Sequence, residues 1–486
     1  MTDMKTITEI IESAAPMTLQ QIIEQEISDW RRSVQRRDML DGQRYYRMKH
    51  DILLRNRTII GEGGRQVAAA NMADNKLVHG YVRKLVDQKA NYLLGKQPSL
   101  QTDNDAYAEQ LTDVIGKEFW RLLKNLGKDA VINGKAWLQV YYDDTGRLSF
   151  KRIPAQEVIP LWRDAAHTEL DALIRVYEVD YYEGRTKHVV SKVEYWDSKG
   201  VQHFTMDGPG RAGLVPDTDA PRAHFAVVDG DGAESGLNWE RIPWICFKYN
   251  DDELPLIVMI RSLIDDYDRK RSDNSNVIED TPNSIYVLDN LDGQDMGEFR
   301  RNLSTYRAIK LAGSKDYPAS VTTLETNLDS EAFEKHMDAL RKAIYEFGRG
   351  VDTQSDKLGS SPSGIALRFL FGDLDLDAND MENEFQAAFE QLLWFVDQHL
   401  ANVTGADFSD ANVDLIFNRD IPINETEAVT NAKSSAGIIS QETIIANHPW
   451  TTDVKDEMQR LEDEAGAGLG ADPYTQPPTG GEPNAQ

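Results

Sequence analysis

The sequence predicts an α+β, multi-domain protein. Three observations carry that prediction. Apolar residues recur at helical spacing towards both ends of the chain, and a block from 135 to 206 is instead rich in β-branched and aromatic runs separated by turn signals. The length of 486 residues gives about three domains' worth of chain at roughly 150 residues each.

The elements follow in order. Residues 18 to 50 read as one helix, with Leu19, Ile22, Ile23, Ile27 and Trp30 at three- and four-residue steps and no proline between them. Residues 56 to 73, rich in Gly and Ala, read as a loop. A second helix is expected from Asp74 or Asn75, both good N-caps, with Val78, Val82, Leu85 and Leu93 on one side and Gly95 and Pro98 closing it. A third covers about 105 to 132 and ends near Gly134. The strand block follows, punctuated by Asp143-Asp144-Thr145-Gly146 and Asp197-Ser198-Lys199-Gly200. Residues 207 to 240 read as a long Gly/Pro/Asp loop.

From 253 the helical period returns through Ile257, Ile260, Ile264 and Tyr267. Residues 276 to 328 are mixed, with strand-like SIYVL and VTTL. Over 330 to 351 the residues Phe333, Met337, Leu340, Ile344, Phe347 and Val351 keep a heptad spacing, which suits a packed core helix, a subunit seam or both. A polar stretch, DTQSDKLGSSPSG, separates this from a long helix over about 364 to 400 with Phe385, Phe389, Leu392 and Val396 on one face. A smaller helical region follows 420, and the Gly/Pro-rich tail from Ala465 reads as disordered.

Charge and motifs narrow the function classes. Lys plus Arg is 53 against 81 Asp plus Glu, a formal charge of −28. That is the wrong global sign for a protein that grips DNA by releasing counterions. Residues 31 to 57 are the exception, with nine basic residues against three acidic ones, which leaves −34 on the rest of the chain. That stretch suits either a solvated face paired with acidic neighbours or a polyanion contact. The single cysteine, Cys246, excludes a disulfide framework and multi-cysteine metal sites. No apolar run is long enough to span a membrane, and the N-terminus lacks a signal pattern, so a soluble chain from a reducing compartment is expected.

Gly208-Pro209-Gly210-Arg211-Ala212-Gly213 fits the dinucleotide fingerprint only formally, because prolines and no helical period follow it. No Walker A or HExxH sequence occurs. Asp373, Asp375, Asp377 and Asp380 lack the glycine and terminal glutamate of a calcium loop. No catalytic residue, cofactor or metal is assigned. The rival readings are an acidic hydrolase using two carboxylates, which predicts a pocket with perturbed carboxylates, and an adaptor or scaffold protein that binds other subunits.

The order of elements and several motifs resemble the tailed-phage portal protein family, the head–tail connector of siphophage type. The most specific stretch is NKLVHGYVRKLVDQKANYLLGKQPSL at 75 to 100, through Asn75, Leu77, His79, Val86, Asp87, Lys89, Tyr92, Gly95 and Pro98. Gly134-Lys135-Ala136-Trp137, Arg152-Ile153-Pro154, Ile242-Pro243-Trp244, Leu263-Ile264-Asp265 and Ser363-Gly364-Ile365-Ala366-Leu367 add to it. One departure is Met48, where the family often has glycine after Tyr45-Tyr46-Arg47; another is Asn250-Asp251 in place of paired asparagines.

The resemblance implies a portal architecture of wing, helical stem, clip and crown, forming a ring with a central channel. It divides the chain into an N-terminal helical arm (1–60), wing (61–252), stem helix (253–275), clip (276–329), second stem helix (330–351) and tunnel loop (352–363). A long wing helix with its following strand (364–420), a crown (421–464) and the tail (465–486) complete it. The implied function is a non-enzymatic, roughly dodecameric channel at one capsid vertex, assembled in the host cytoplasm, for packaging and ejecting double-stranded DNA. The implied partners are further copies of the chain, the terminase large subunit, the major capsid and scaffolding proteins, a head-completion or tail adaptor, and weakly held DNA; no membrane is involved. The tunnel-loop residues would be Asp352, Gln354, Ser355, Asp356, Lys357, Ser360 and Ser361. Lys342, Arg349 and Lys357 are the expected DNA-facing cations, and Arg300 and Arg301 mark the expected docking surface of the clip.

Overall fold

Thr18 opens the first helix with a capping box: its hydroxyl accepts from the Gln21 amide while the Gln21 side chain accepts from the Thr18 amide. The computed structural model describes residues 17–60, 64–68, 72–206, 213–218, 220–228, 231–280, 285–289, 297, 320–324, 330–354, 364–419, 425–451 and 454–468. They fall into two compact units, Met1–Asp352 with Asp373–Asp420, and Thr353–Gly372 with Ile421–Gln486.

In the first unit, α1 (Leu19–Arg32) buries Ile23, Ile27 and Trp30, and α2 (Val34–Tyr46) follows after one residue. The single helix expected over 18 to 50 is therefore two. Ser33 adopts extended backbone, its hydroxyl accepts from the Arg36 amide, and it donates to the Trp30 carbonyl. A serine that caps a new helix can stop the old one without proline or glycine. At the end of α2, Met48 holds φ +62, the left-handed conformation that glycine takes freely. A short 3₁₀ turn, Asp51–Leu54, follows. Within the stretch expected as a loop, β1 (Thr58–Ile60) and β2 (Gln66–Ala68) pair antiparallel.

The second expected helix begins late. Residues 74 to 80 are not helical, and α3 runs only over Tyr81–Leu94, so Val78 lies outside it. Strand β3 (Ser99–Gln101) then leads to α4 (Asp105–Asn133), which is kinked at Gly116, whose φ is +65. Gly134 ends α4 in the left-handed region at φ +84, as its position in the sequence suggests. A Cβ there would sit 2.0 Å from the Glu253 carbonyl oxygen, so the α4–β4 turn and the segment around 253 are pressed together.

The strand block forms two antiparallel sheets. One, ordered β13-β4-β5, joins Trp244–Lys248, Lys135–Tyr142 and Leu148–Ile153. The other, ordered β10-β9-β8-β7-β6, joins Leu214–Pro216, Gly200–Met206, Thr186–Asp197, Leu170–Glu183 and Val158–Trp162. Strand β10, and the hairpin of β11 (Phe225–Val228) with β12 (Glu234–Leu237), lie where a long loop is expected. Alternating inward positions explain the core: Leu173, Val193, Phe204, Trp137 and Trp244 share one cluster with Ile23, Ile27 and Trp30 of α1. At about 1.5–3 kcal/mol for each large side chain removed from water, that apolar stripe suffices to hold α1 against the strands.

Helix α5 (Leu256–Asp280) and helix α6 (Ser330–Phe347) pack antiparallel, as the contacts Arg271–Glu334, His336–Asp266 and Ile260–Gly348 require. Between them β14 (Ile285–Asp289) pairs with β15 (Ser320–Leu324), so both strand-like runs are strands. Helix α6 stops at Phe347 instead of reaching 351. Arg349 turns left-handed at φ +46, and the Gln88 side chain bonds both the amide and the carbonyl of Val351. Of the heptad positions, Met337, Ile344 and Val351 are buried, while Phe347 is 58% exposed. Helix α7 (Gly364–Thr404) then buries Phe385, Phe389, Leu392 and Val396, and β16 (Asp414–Ile416) pairs with β3.

In the second unit, α8 (Glu425–Ser435), α9 (Gln441–Ala446) and α10 (Val454–Gly468) follow in order, and α9 packs on α10. Ser440 caps α9 by accepting from the Thr443 amide. Helix α10 thus continues past Ala465, where disorder is expected; residues 469–486 lie outside the described residues.

Replacing Gly134 by alanine is expected to lower stability by about 1–3 kcal/mol from the left-handed backbone alone, with the carbonyl clash adding to it. Gly146→Ala has a similar φ of +78 but open space around it, and should carry the backbone penalty only. Urea midpoints of the two variants check the difference.

Candidate channel and docking elements

The extended segment 74–80 lies along α5. Its alternate amides donate to side chains one helical turn apart: Asn75 to Asn276 Oδ1 at 2.6 Å, Leu77 to Ser272 Oγ at 2.9 Å, and His79 to Asp268 Oδ1 at 3.0 Å. The match is geometric. Two residues of extended chain advance about 6.6 Å and four residues of helix about 6 Å, so a period-two donor row meets a period-four acceptor row. Asp268, Ser272 and Asn276 are all buried. Asp268 also receives His79 Nδ1 at 2.7 Å and, on its other oxygen, His50 Nδ1 at 2.5 Å.

A second junction gathers α3, α6, α7 and the end of β13. Lys89 Nζ lies 2.8 Å from Asp377 Oδ2 and donates to the Arg349 carbonyl at 3.1 Å, while the Tyr249 hydroxyl donates to Asp377 at 2.7 Å. Burial lowers the Lys89 pKa, against the pull of Asp377. Burial also raises the Tyr249 hydroxyl, which the Asp377 carboxylate beside it reinforces. A third junction centres on Glu253, held by Lys135 at 2.5 Å, His167 at 2.7 Å and Gln35 at 3.1 Å. Burial opposes its charge, yet Lys135 and then His167 keep its pKa below the usual carboxylate range.

The expected site residues are placed as follows. Lys342 is exposed and paired with Asp338 at 2.5 Å. Arg349 is paired with Asp380 at 3.1 Å. Asp352 is held by Arg341 at 2.8 Å, so it is anchored to α6 and is not a free loop residue. Gln354 is exposed. Ser355, Asp356, Lys357, Ser360 and Ser361 lie outside the described residues, as do Arg300 and Arg301 and residues 208–212 of the glycine fingerprint. Three aspartates of the calcium-like run are engaged by cations: Asp375 by Arg419, Asp377 by Lys89 and Asp380 by Arg349. Sequence reasoning missed the ladder on α5. Its readable signal is the Asp268-x3-Ser272-x3-Asn276 spacing on one helix face.

One polar cleft of about 260 Å³ is lined by Gln43, Tyr46, Arg47, Asp129, Ile132, Asn133, Arg152, Pro154 and Gln156. Burial raises Asp129 to about 6 although Arg152 lies 3.1 Å away. It is the one carboxylate in that lining, and two-carboxylate hydrolysis needs a second.

A family model described as phage portal protein, SPP1 Gp6-like, matches residues 25–468. The chain is 27% identical to the portal protein of Bacillus phage SPP1 over 430 residues, 88% of this chain and 83% of that protein. It is 29% identical to the portal protein of Clostridium phage phiCD119 over 441 residues, 88% of this chain and 92% of that protein. A chain in a solved neck of an empty GTA particle, computed with C6 symmetry, aligns at a TM-score of 0.42 with 12% identity, covering 75% of this chain and 88% of that one.

Asp268→Ala removes the acceptor shared by two histidines and an amide, and each buried group left unpartnered is expected to cost about 1–3 kcal/mol. Hydrogen exchange should accelerate at the amides of Leu77 and His79 before the strand core is affected. Asp129 gives a separate pH signature. Its folded pKa of about 6 exceeds the ordinary 3.8, so the folded state binds this proton more tightly. Stability is lost through this group as pH rises from about 4 to about 6, and Asp129→Asn should remove that part of the slope in urea titrations.

Proposed function

The chain belongs to the SPP1 Gp6-like family of phage portal proteins, and from that membership we propose that it forms a ring of about twelve copies at one capsid vertex. Double-stranded DNA passes through the ring on packaging and ejection. The observation that carries the reading is the family match across 25–468. The antiparallel pair α5 and α6 supports it, being the arrangement that a two-helix stem requires.

In this reading α5 and α6 are the stem, the segment 276–329 is the clip, and 352–363 is the tunnel loop. The clip meets the terminase large subunit during packaging and a head-completion or tail adaptor afterwards. Other surfaces meet the major capsid and scaffolding proteins. The chain itself performs no catalysis; the motor supplies the ATP chemistry. About twelve copies carry a formal charge near −336, which repels phosphates and suits sliding better than gripping. Lys342, Arg349 and Lys357 would touch DNA only weakly, the first two being already neutralised by carboxylates.

Negative-stain electron microscopy and native mass spectrometry test the assembly. Rings with a central hole are expected, and monomers or dimers alone at micromolar concentration would overturn the reading. For the loop, a cysteine at Gln354 or Ser355 is expected to cross-link across the channel or to trapped DNA. Burial pushes the native Cys246 thiol up to about 12, so it competes little for such reagents. Labelling of both introduced cysteines only from outside an intact ring would remove the loop from the channel. Arg300→Glu with Arg301→Glu should leave rings intact and block packaging; normal packaging would move the docking surface elsewhere.

A further inference from the structure

The corner between α1 and α2 holds arginines that no ion pair among the described residues neutralises. Of the cations between 31 and 57, Arg44 meets Asp41 and Asp51, Arg55 meets Asp273, and Arg57 donates to the Ala73 carbonyl. Arg31, Arg32, Arg36 and Arg37 have no ion-pair partner among the described residues; Arg31 reaches only the Met206 sulfur, at 3.9 Å. The break at Ser33 sets the end of one helix next to the start of the next, so these four arginines fall within seven residues spanning one corner. Arg36 and Arg37 lie in the first turn of α2, where the helix dipole disfavours cations. No acidic residue lies in that first turn to offset the placement.

Exposed aliphatic residues interleave with the arginines. Val34 is 61% and Leu40 38% exposed, and with Arg37 they are spaced three apart along the outer side of α2. Arginine is enriched at protein–protein contacts, and Val34 and Leu40 give the same side of α2 apolar area that a contact could bury.

We propose that the α1–α2 corner binds an acidic, partly apolar surface on a second copy of this chain. Outside residues 31 to 57 every copy carries −34, so a neighbour's surface is on balance acidic and complementary in charge to this corner. Two such corners repel each other, which disfavours a two-fold dimer through this face. The corner therefore meets a different face of the next copy, the head-to-tail geometry from which rings close. The inference rests on the ring reading and assigns one side of its subunit contact.

The test uses the full chain with Arg31, Arg32, Arg36 and Arg37 all changed to Glu, beside the four Arg→Lys changes. Native mass spectrometry follows assembly against protein concentration, thermal unfolding checks folding, and a gel shift with a short DNA duplex reads polyanion binding. The Glu variant is expected to unfold normally as a monomer and to need at least about tenfold more protein to assemble. The Lys variant should assemble nearly as the unmodified chain does, and raised salt should weaken both the Lys variant and the unmodified chain. Should the Glu variant fail to fold, Val34→Ser with Leu40→Ser carries the test and must shift assembly in the same direction. Assembly of the Glu variant, or of the Val34→Ser with Leu40→Ser variant, at the unmodified concentration overturns the contact, as does a Glu variant whose only defect is lost DNA binding. An unmodified chain that stays monomeric overturns the ring reading and this contact with it; an unmodified ring with an unaffected variant overturns this contact alone.

Discussion

The row of hydrogen bonds between residues 75–79 and α5 fixes where that helix stands along its own axis. Apolar contacts between helices tolerate sliding by a fraction of a turn; a donor row matched to buried acceptors does not. Shifting α5 by one residue would leave the amides of Asn75, Leu77 and His79 facing the wrong side chains and strand Asp268, Ser272 and Asn276 away from water. An unpartnered buried polar group costs about 1–3 kcal/mol, and more when it is charged, so the three together oppose slippage strongly. His50 adds a second tie to the same carboxylate from the turn after α2.

The other two junctions work by the same rule. In a chain with 81 carboxylates, a buried one must be met by its own donors, and Glu253 and Asp377 draw theirs from segments far apart in sequence. Lys135 and Glu253 are 118 residues apart, and Lys89 and Asp377 are 288 apart. Such pairs add little net stability over well-packed apolar residues; their effect is on specificity, because misplacing one partner leaves a bare charge. Both act at one end of the antiparallel α5–α6 pair and tie it to different neighbours: Glu253 stands just before α5, and Arg349, whose carbonyl accepts from Lys89, just after α6.

Much of the fold was legible from apolar periodicity. The long helices α4, α5 and α7, the strand block from 135, and the stop at Gly134 follow from local rules. The failures share one cause. Residues 74–80 contain good helix caps and apolar spacing, but their backbone donors are taken by α5, nearly 200 residues away, and no local rule sees that. Ser33 looked like an ordinary helix residue because a cap and a mid-helix serine are the same letter. The hairpins at 58–68 and 225–237 are short and glycine-flanked, so pairing decides them more than propensity does. The buried junctions were half visible: Asn75, His79, Lys89 and Lys135 stood in the motifs that carried the family resemblance, while of their carboxylate partners only Asp377 stood out, and then as part of a calcium-like run.

The same abundance of carboxylates shapes the exposed side of α6. Lys335 is held by Glu331 and Lys342 by Asp338, each one turn away, and Arg341 is held by Asp352. Cations fixed this way cannot reach out as free point charges, and exposed i,i+4 pairs of this kind contribute only tenths of a kcal/mol to the helix. Their larger consequence is for whatever passes the helix. A phosphate approaching Lys342 meets Asp338 as well, so attraction and repulsion nearly cancel within a few ångströms and decay together over the screening length. On the proposed reading, in which this helix is part of the stem, that cancellation would leave a passing polyanion without deep binding minima along it.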